Sequence, residues 1–221
     1  MPSNFFWTLS INIVPLLIVI VLHEMAHGYA ALFFGDKTAK RQGRLSFNPK
    51  VHFELFGSFL LPAFLYVSHA PFMIGWAKPV PVNFSALNNP KKDMGIVAMA
   101  GPLMNFVLTI LFLFGVALLQ PVSAYSTPIE WVYDALKAGA SLSLFLCAFN
   151  LLPILPLDGG RILSSILPKH LAIKYDETEK YGFFILIGLL ILGNISDKFD
   201  VFGLYINWIY GGLLRIIHFI F

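Results

Sequence analysis

His23-Glu24-Met25-Ala26-His27 carries the residue types and the spacing for metal chemistry. Side chains four positions apart leave one helix face together, so the imidazoles at 23 and 27 can hold one ion. Glu24, one position along, can reach a water at that ion and take its proton. Nitrogen and oxygen donors suit zinc, and a catalytic zinc keeps one position open for water. The competing reading makes these core residues hydrogen-bonded to neighbouring helices. Three ionisable groups within five residues of an apolar stretch favour metal, because an acid at a bilayer centre costs about 2.5–3.5 kcal/mol.

Two histidines leave such a site one ligand short. Glu54, Asp93, Asp134, Asp158, His52 and His69 are the candidates in or near apolar stretches. Asp93, beside Lys91 and Lys92, reads as a solvated helix start, and Asp134 falls in an amphipathic stretch. Glu54, His52 and His69 flank a short apolar segment and stay open. Asp158 is best placed. It follows Pro153 and Pro156, which interrupt a helix and free backbone groups, and Gly159 and Gly160 permit close approach. Spacing alone leaves Asp158 as either a metal ligand or the cap of a short helix over residues 160–167.

The rest of the chain must position these groups inside a membrane. Of 221 residues, 57% are hydrophobic and 12% charged, with a mean hydropathy of +0.76. A soluble domain carries about a quarter charged residues. The composition argues against a disordered chain or a coiled coil, and the single Cys147 against a disulfide scaffold. A net charge of +3, with basic residues dispersed over loops, argues against nucleic-acid binding.

A helix needs about 20 apolar residues to cross the hydrocarbon. Residues 4–22 and 94–119 qualify, the helical pattern of the first running on through His27 to about Phe34, and residues 138–152 continue uncharged to 157 across two prolines. Residues 181–196 and 201–214 suggest a final helical hairpin. The first stretch reads as a retained span rather than a removable signal, because no basic cluster precedes it. Residues 53–76 are different: the apolar part, 57–67, is too short for a straight span and contains Pro62. A re-entrant or kinked element fits there. It also places every Lys/Arg cluster on one side, read as cytosolic, with the N-terminus outside. The expectation is an all-α polytopic membrane protein with about five transmembrane helices plus that element. It forms one domain over 1–221, with a core at about 5–168 and a hairpin at about 180–221.

The histidine pair, taken with Asn150-x-x-Pro153-x-x-x-Leu157-Asp158-Gly159-Gly160, resembles the site-2 proteases, intramembrane zinc metalloproteases of peptidase family M50. Gly101-Pro102-x-x-Asn105 resembles the family too. So does Gly75-Trp76-Ala77-Lys78-Pro79-Val80-Pro81-Val82-Asn83, typical of its short members without a PDZ domain. The resemblance spans roughly residues 10–165. It implies one Zn2+ per chain held by His23, His27 and Asp158, with Glu24 as general base and Asn150 on the substrate backbone. Asn105 matches a family position, with substrate contact or packing beside Gly101 as its role. A small β-like insertion after the first helix is also implied, suiting residues 40–60 and offering an edge to an unwound substrate. No PDZ domain is expected over 120–131, and no CBS domain after Phe221.

The expected activity is hydrolysis of a peptide bond within the transmembrane segment of a single-span membrane protein, in regulated intramembrane proteolysis at the plasma membrane. Water would arrive from the cytosolic side. The expected partners are such substrates and the lipid bilayer, with no nucleic acid. Two competitors use the same residues: a metal transporter or sensor, and a non-catalytic relative that binds membrane helices. An intact Glu24 argues against the binder, which needs no base. Cys147 reads as an apolar filler, Arg161 as a cytosolic charge, and Trp76 and Lys78 as interfacial anchors.

Overall fold

A computed structural model describes residues 5–68, 76–120, 127–195 and 200–220. Three of its helices are long and apolar enough to cross a membrane: α1 (Phe5–Phe33), α4 (Pro90–Leu119) and α5 (Thr127–Asn150). At about 1.5 Å per residue even the shortest exceeds the roughly 30 Å of hydrocarbon. They pack against one another as the core of the molecule, and α6 (Asp158–Ile166) lies against α4. The outer face of α4 exposes Leu103, Val107, Leu111, Phe114 and Leu118 at helical spacing, the stripe a helix turns toward lipid. The chain is a multi-pass, all-α membrane protein.

α5 begins at Thr127, well before residue 138, so Asp134 belongs to the span helix itself. Trp131 ties the start of α5 to α1 by donating from Nε1 to Ser10 Oγ at 2.8 Å. Pro90 opens α4 at a position where a missing N–H costs nothing. Asp93 is buried there rather than solvated, and its Oδ2 accepts the Asn89 N–H at 2.7 Å.

The segment after α1 departs from expectation. Among the described residues, 40–60 form no strand. The chain runs through α2 (Thr38–Arg41), a 3₁₀ turn at Pro49–His52 and a π-helical turn at Phe56–Leu60 that continues into α3 (Leu61–Val67). Gly43, at φ 64°, turns the chain at the end of α2. Pro49 cannot donate to a ladder, and Asn48 caps the turn by accepting the Lys50 N–H. The helical run from Phe56 to Val67 is about 18 Å long, too short to cross. Residues 76–83 that follow are neither helix nor strand, with Asn83 extended.

Asp36 joins that segment to the end of α1. Its carboxylate accepts the Thr38 N–H (2.8 Å), the Thr38 hydroxyl (2.5 Å) and the Asn83 N–H (2.7 Å). Burial pushes its pKa up, but these bonds outweigh burial and hold it below the ordinary 3.8. A depressed carboxylate contributes stability above its unfolded pKa and loses it as pH falls through the folded value. Asp36→Ala is expected to cost roughly 1.5–3 kcal/mol of unfolding free energy in detergent at neutral pH. That difference should shrink as pH drops below 3.8, and chemical denaturation at pH 7 and pH 3 measures it.

After α5 the chain is irregular from Leu151 to Leu157, as Pro153 and Pro156 require. Its carbonyls find partners on the helices that follow. Tyr205 on α9 (Val201–Ile220) donates to Leu151 O at 2.7 Å, and Tyr175 on α7 (Lys169–Asp176) donates to Pro153 O at 2.8 Å. α8 (Glu179–Ile195) packs on α9, and α9 on α5. The C-terminal helices therefore brace the break that leads into Asp158.

Candidate active site

His23 and His27 leave α1 on its buried face, toward α4. They fit because residue 101 is glycine. A Cβ there would stand 2.5 Å from His23 Cε1 and 2.6 Å from His27 Cε1. One turn earlier on α4, the Val97 carbonyl lies 2.7 Å from His27 Nδ1. A carbonyl only accepts, so Nδ1 carries the proton and Nε2 turns a lone pair into the site.

Asp158 is the first residue of α6 and faces this pair. Its Oδ2 lies 3.3 Å from Nε2 of His23 and 3.3 Å from Nε2 of His27, and the two Nε2 atoms are 3.1 Å apart. The capping alternative is not what the structure adopts: Leu157 holds the N-cap position, and no side chain caps the helix. Asp158 Oδ2 is a buried acceptor without a hydrogen-bond donor.

These atoms fit a zinc ion. A tetrahedral ion bound at about 2.0–2.1 Å sets its donors roughly 3.3 Å apart, close to all three separations. Lone pairs that converge in a buried place repel one another unless a cation lies between them. Among the described residues, His23, His27 and Asp158 are the one group of three ligand-type side chains so clustered. Gly101→Ala is expected to weaken zinc binding about 10–100-fold by displacing the imidazoles. Zinc per chain after dialysis against a graded chelator series reads the effect.

The other ligand candidates are elsewhere. His52 is buried with Nε2 on Ser46 O at 2.9 Å. Glu54 accepts the backbone N–H groups of Phe56 (3.1 Å) and Gly57 (2.5 Å) at the start of its helix. His69 lies outside the described residues.

A cavity of about 610 Å³ opens on the cluster. Glu24 borders it, and its Oε2 accepts the Val80 N–H at 2.6 Å. Residues 76–82 make one wall, apart from Lys78. Asn105 and Asn150, from α4 and α5, line the cavity as well. Asn150 donates from Nδ2 to Leu146 O at 3.0 Å. Asn105 is fully buried with neither side-chain polar atom bonded.

Two arginines read from the sequence only as loop charges have packed positions in the structure. Arg44, read among the cytosolic loop charges, is buried with Nη2 donating to Lys78 O (2.8 Å) and Pro79 O (3.1 Å). Arg161 borders the cavity, pairs with Glu179 and stacks over Phe84. The Val80 amide has no side-chain signature at all. The sequence pointed to this stretch only through the motif of residues 75–83 and its prolines 79 and 81.

Comparison with known proteins agrees with the donor set. The chain matches peptidase family M50 over residues 11–130 and 123–193. YwhC of Bacillus subtilis (strain 168), which bears a zinc-metalloprotease name, is 35% identical over 81% of this chain and 79% of its own length. Rip2 of Mycolicibacterium smegmatis, named likewise, is 27% identical over 90% of this chain and 73% of its own. A zinc metalloprotease of Methanocaldococcus jannaschii is 28% identical over 76% of this chain, which spans 37% of that longer protein. No solved structure matches. With a zinc-type donor set at the junction of three helices and relatives of this kind along most of its length, the chain belongs to peptidase family M50 as a zinc metalloprotease of the site-2 type.

Proposed function

We propose that this zinc metalloprotease hydrolyses a peptide bond within the transmembrane segment of another membrane protein, as the cutting step of regulated intramembrane proteolysis. The observation that carries the reading is the position of the donor cluster. His23 and His27 lie on α1, which is long and apolar enough to cross a membrane and packs against two other such helices. The cavity that opens on them is lined by residues of all three helices.

In this reading His23, His27 and Asp158 hold the ion and Glu24 is the general base. Zinc supplies a Lewis acid that polarises the scissile carbonyl and acidifies water. The Val97 carbonyl fixes His27 in the tautomer that presents Nε2. Glu24 takes the proton of the attacking water as oxygen bonds to the carbonyl carbon. The C–N bond then breaks, and the same proton passes to the leaving amine. Asn105, with both polar atoms unbonded and the cavity beside it, is suited to a carbonyl or amide of an unwound substrate. Asn150 is suited to the same backbone through its oxygen.

His27 is six residues from the end of α1, about 9 Å along the axis, and the basic residues begin at Lys37. This supports water entry from the cytosolic face, with the N-terminus outside and the protein in the plasma membrane. The partners are single-span proteins presented in the bilayer.

A panel of fusions tests the substrate class, each with one apolar span of about 20 residues between two soluble tags. Co-reconstituted with the protease in liposomes, at least one is expected to be cut inside its span, with the site found by mass spectrometry. Cuts confined to the tags, or to an unfolded soluble protein added as competitor, would overturn the reading.

A further inference from the structure

Glu24 is held by a segment 56 residues away, through the bond from the Val80 N–H to its Oε2. Pro79 and Pro81 flank Val80 and have no N–H. The Val80 amide is therefore the single backbone donor of that tripeptide, and it is spent on the carboxylate.

The segment is anchored on both sides of this bond. Lys78 N–H donates to His52 O at 2.8 Å, and Asn83 N–H donates to Asp36 at 2.7 Å. Arg44 sends Nη2 to both Lys78 O (2.8 Å) and Pro79 O (3.1 Å), the two carbonyls that precede the Val80 amide. Its side chain is buried, and a guanidinium does not lose its charge at any working pH. Gly28, one turn beyond Glu24, clears the approach: a Cβ there would stand 3.0 Å from Val80 Cγ1.

We propose that Arg44 and the Val80 amide are positioning groups for the peptidase reaction. Arg44 clamps the carbonyls of residues 78 and 79, which aims the Val80 N–H at Glu24 Oε2. The carboxylate is thereby fixed toward the cavity, and Oε1 remains as the oxygen that takes the proton. A base held this way serves the chemical step, not substrate binding, so its loss appears in kcat. The proposal rests on Glu24 being the base. The alternative is a clamp that only stabilises the loop.

The test uses purified full-length zinc protein and the fusion from the panel that the wild type cuts fastest, with kcat, KM and zinc per chain measured together. Val80→Pro removes the N–H, and Val80→Ala trims the side chain while keeping it. The expected kcat of Val80→Pro is about 10²-fold below that of Val80→Ala, at similar KM and with zinc retained. Arg44→Met lowers kcat in the same way, and Arg44→Lys, which still donates to a carbonyl, recovers part of it.

Equal kcat for the two Val80 variants overturns the proposal. So does loss of zinc or of folded protein in both Val80→Pro and Arg44→Met, which makes the clamp structural. If Val80→Pro alone fails to fold, the Arg44 pair decides: no kcat difference between Met and Lys overturns it. Glu24→Gln, assayed beside them, separates the two readings. An active Glu24→Gln removes the base itself, whereas an inactive one with an active Val80→Pro removes only the positioning role.

Discussion

Glu24→Gln is expected to cut about 10²–10⁴-fold more slowly than the wild type while keeping its zinc and its fold. The carboxamide has the shape of the carboxylate, and its oxygen can still accept the Val80 N–H that Glu24 accepts at 2.6 Å. What it cannot do is take a proton. The three converging donors, His23, His27 and Asp158, are untouched by the change. Fusion cleavage in liposomes measures the rate, and elemental analysis measures the metal. A variant within tenfold of wild type would mean that another group is the base. A variant that loses zinc would make Glu24 part of the metal shell. A protein that only bound membrane helices would be indifferent to the substitution.

Asp158→Ala is expected to empty the site. The two imidazoles would remain 3.1 Å apart with no third donor, and two neutral ligands hold zinc weakly. Zinc per chain should fall toward zero after dialysis, and activity with it. Stability gives an independent readout, because metal that binds only the folded state adds about 4 kcal/mol at free zinc 1,000-fold above Kd. A chelator should therefore lower the Tm of the wild type clearly and leave that of Asp158→Ala unmoved. Undiminished zinc in Asp158→Ala would return the third ligand to another residue. His52 and Glu54 are committed to backbone partners.

The readability of this chain follows from where its information is local. Helical spacing puts residues 23 and 27 on one face whatever surrounds them, so the pair and its chemistry were legible from five residues. Long uncharged runs have few stable alternatives in a bilayer, so α1 and α4 were legible with ends close to those observed. The start of α5 was not, because Glu130, Asp134 and Lys137 interrupt the hydropathy signal without interrupting the helix. The β-like reading of residues 40–60 came from resemblance rather than from local pattern. Turns at Gly43, Asn48 and Pro49 occupy that stretch instead.

Asp158 marks the border between the two kinds of knowledge. Prolines 153 and 156 made a break certain, but a first-turn aspartate can cap its own helix or face another, and only packing decides. Here α6 lies against α4, and Gly101 leaves room for both imidazoles, so Asp158 meets them at 3.3 Å.

By itself the sequence determined the membrane character, the helical class, the histidine pair with its neighbouring acid, and the site of the helix break. These depend on composition and on spacing along one element. The tertiary structure decided how Asp158 closes the triad, that Arg44 is buried, and that the Val80 amide reaches Glu24. Those contacts join residues tens of positions apart, and one of them is made by a backbone group that every residue but proline possesses. No local pattern can encode a partner of that kind; it exists only once the chain has packed.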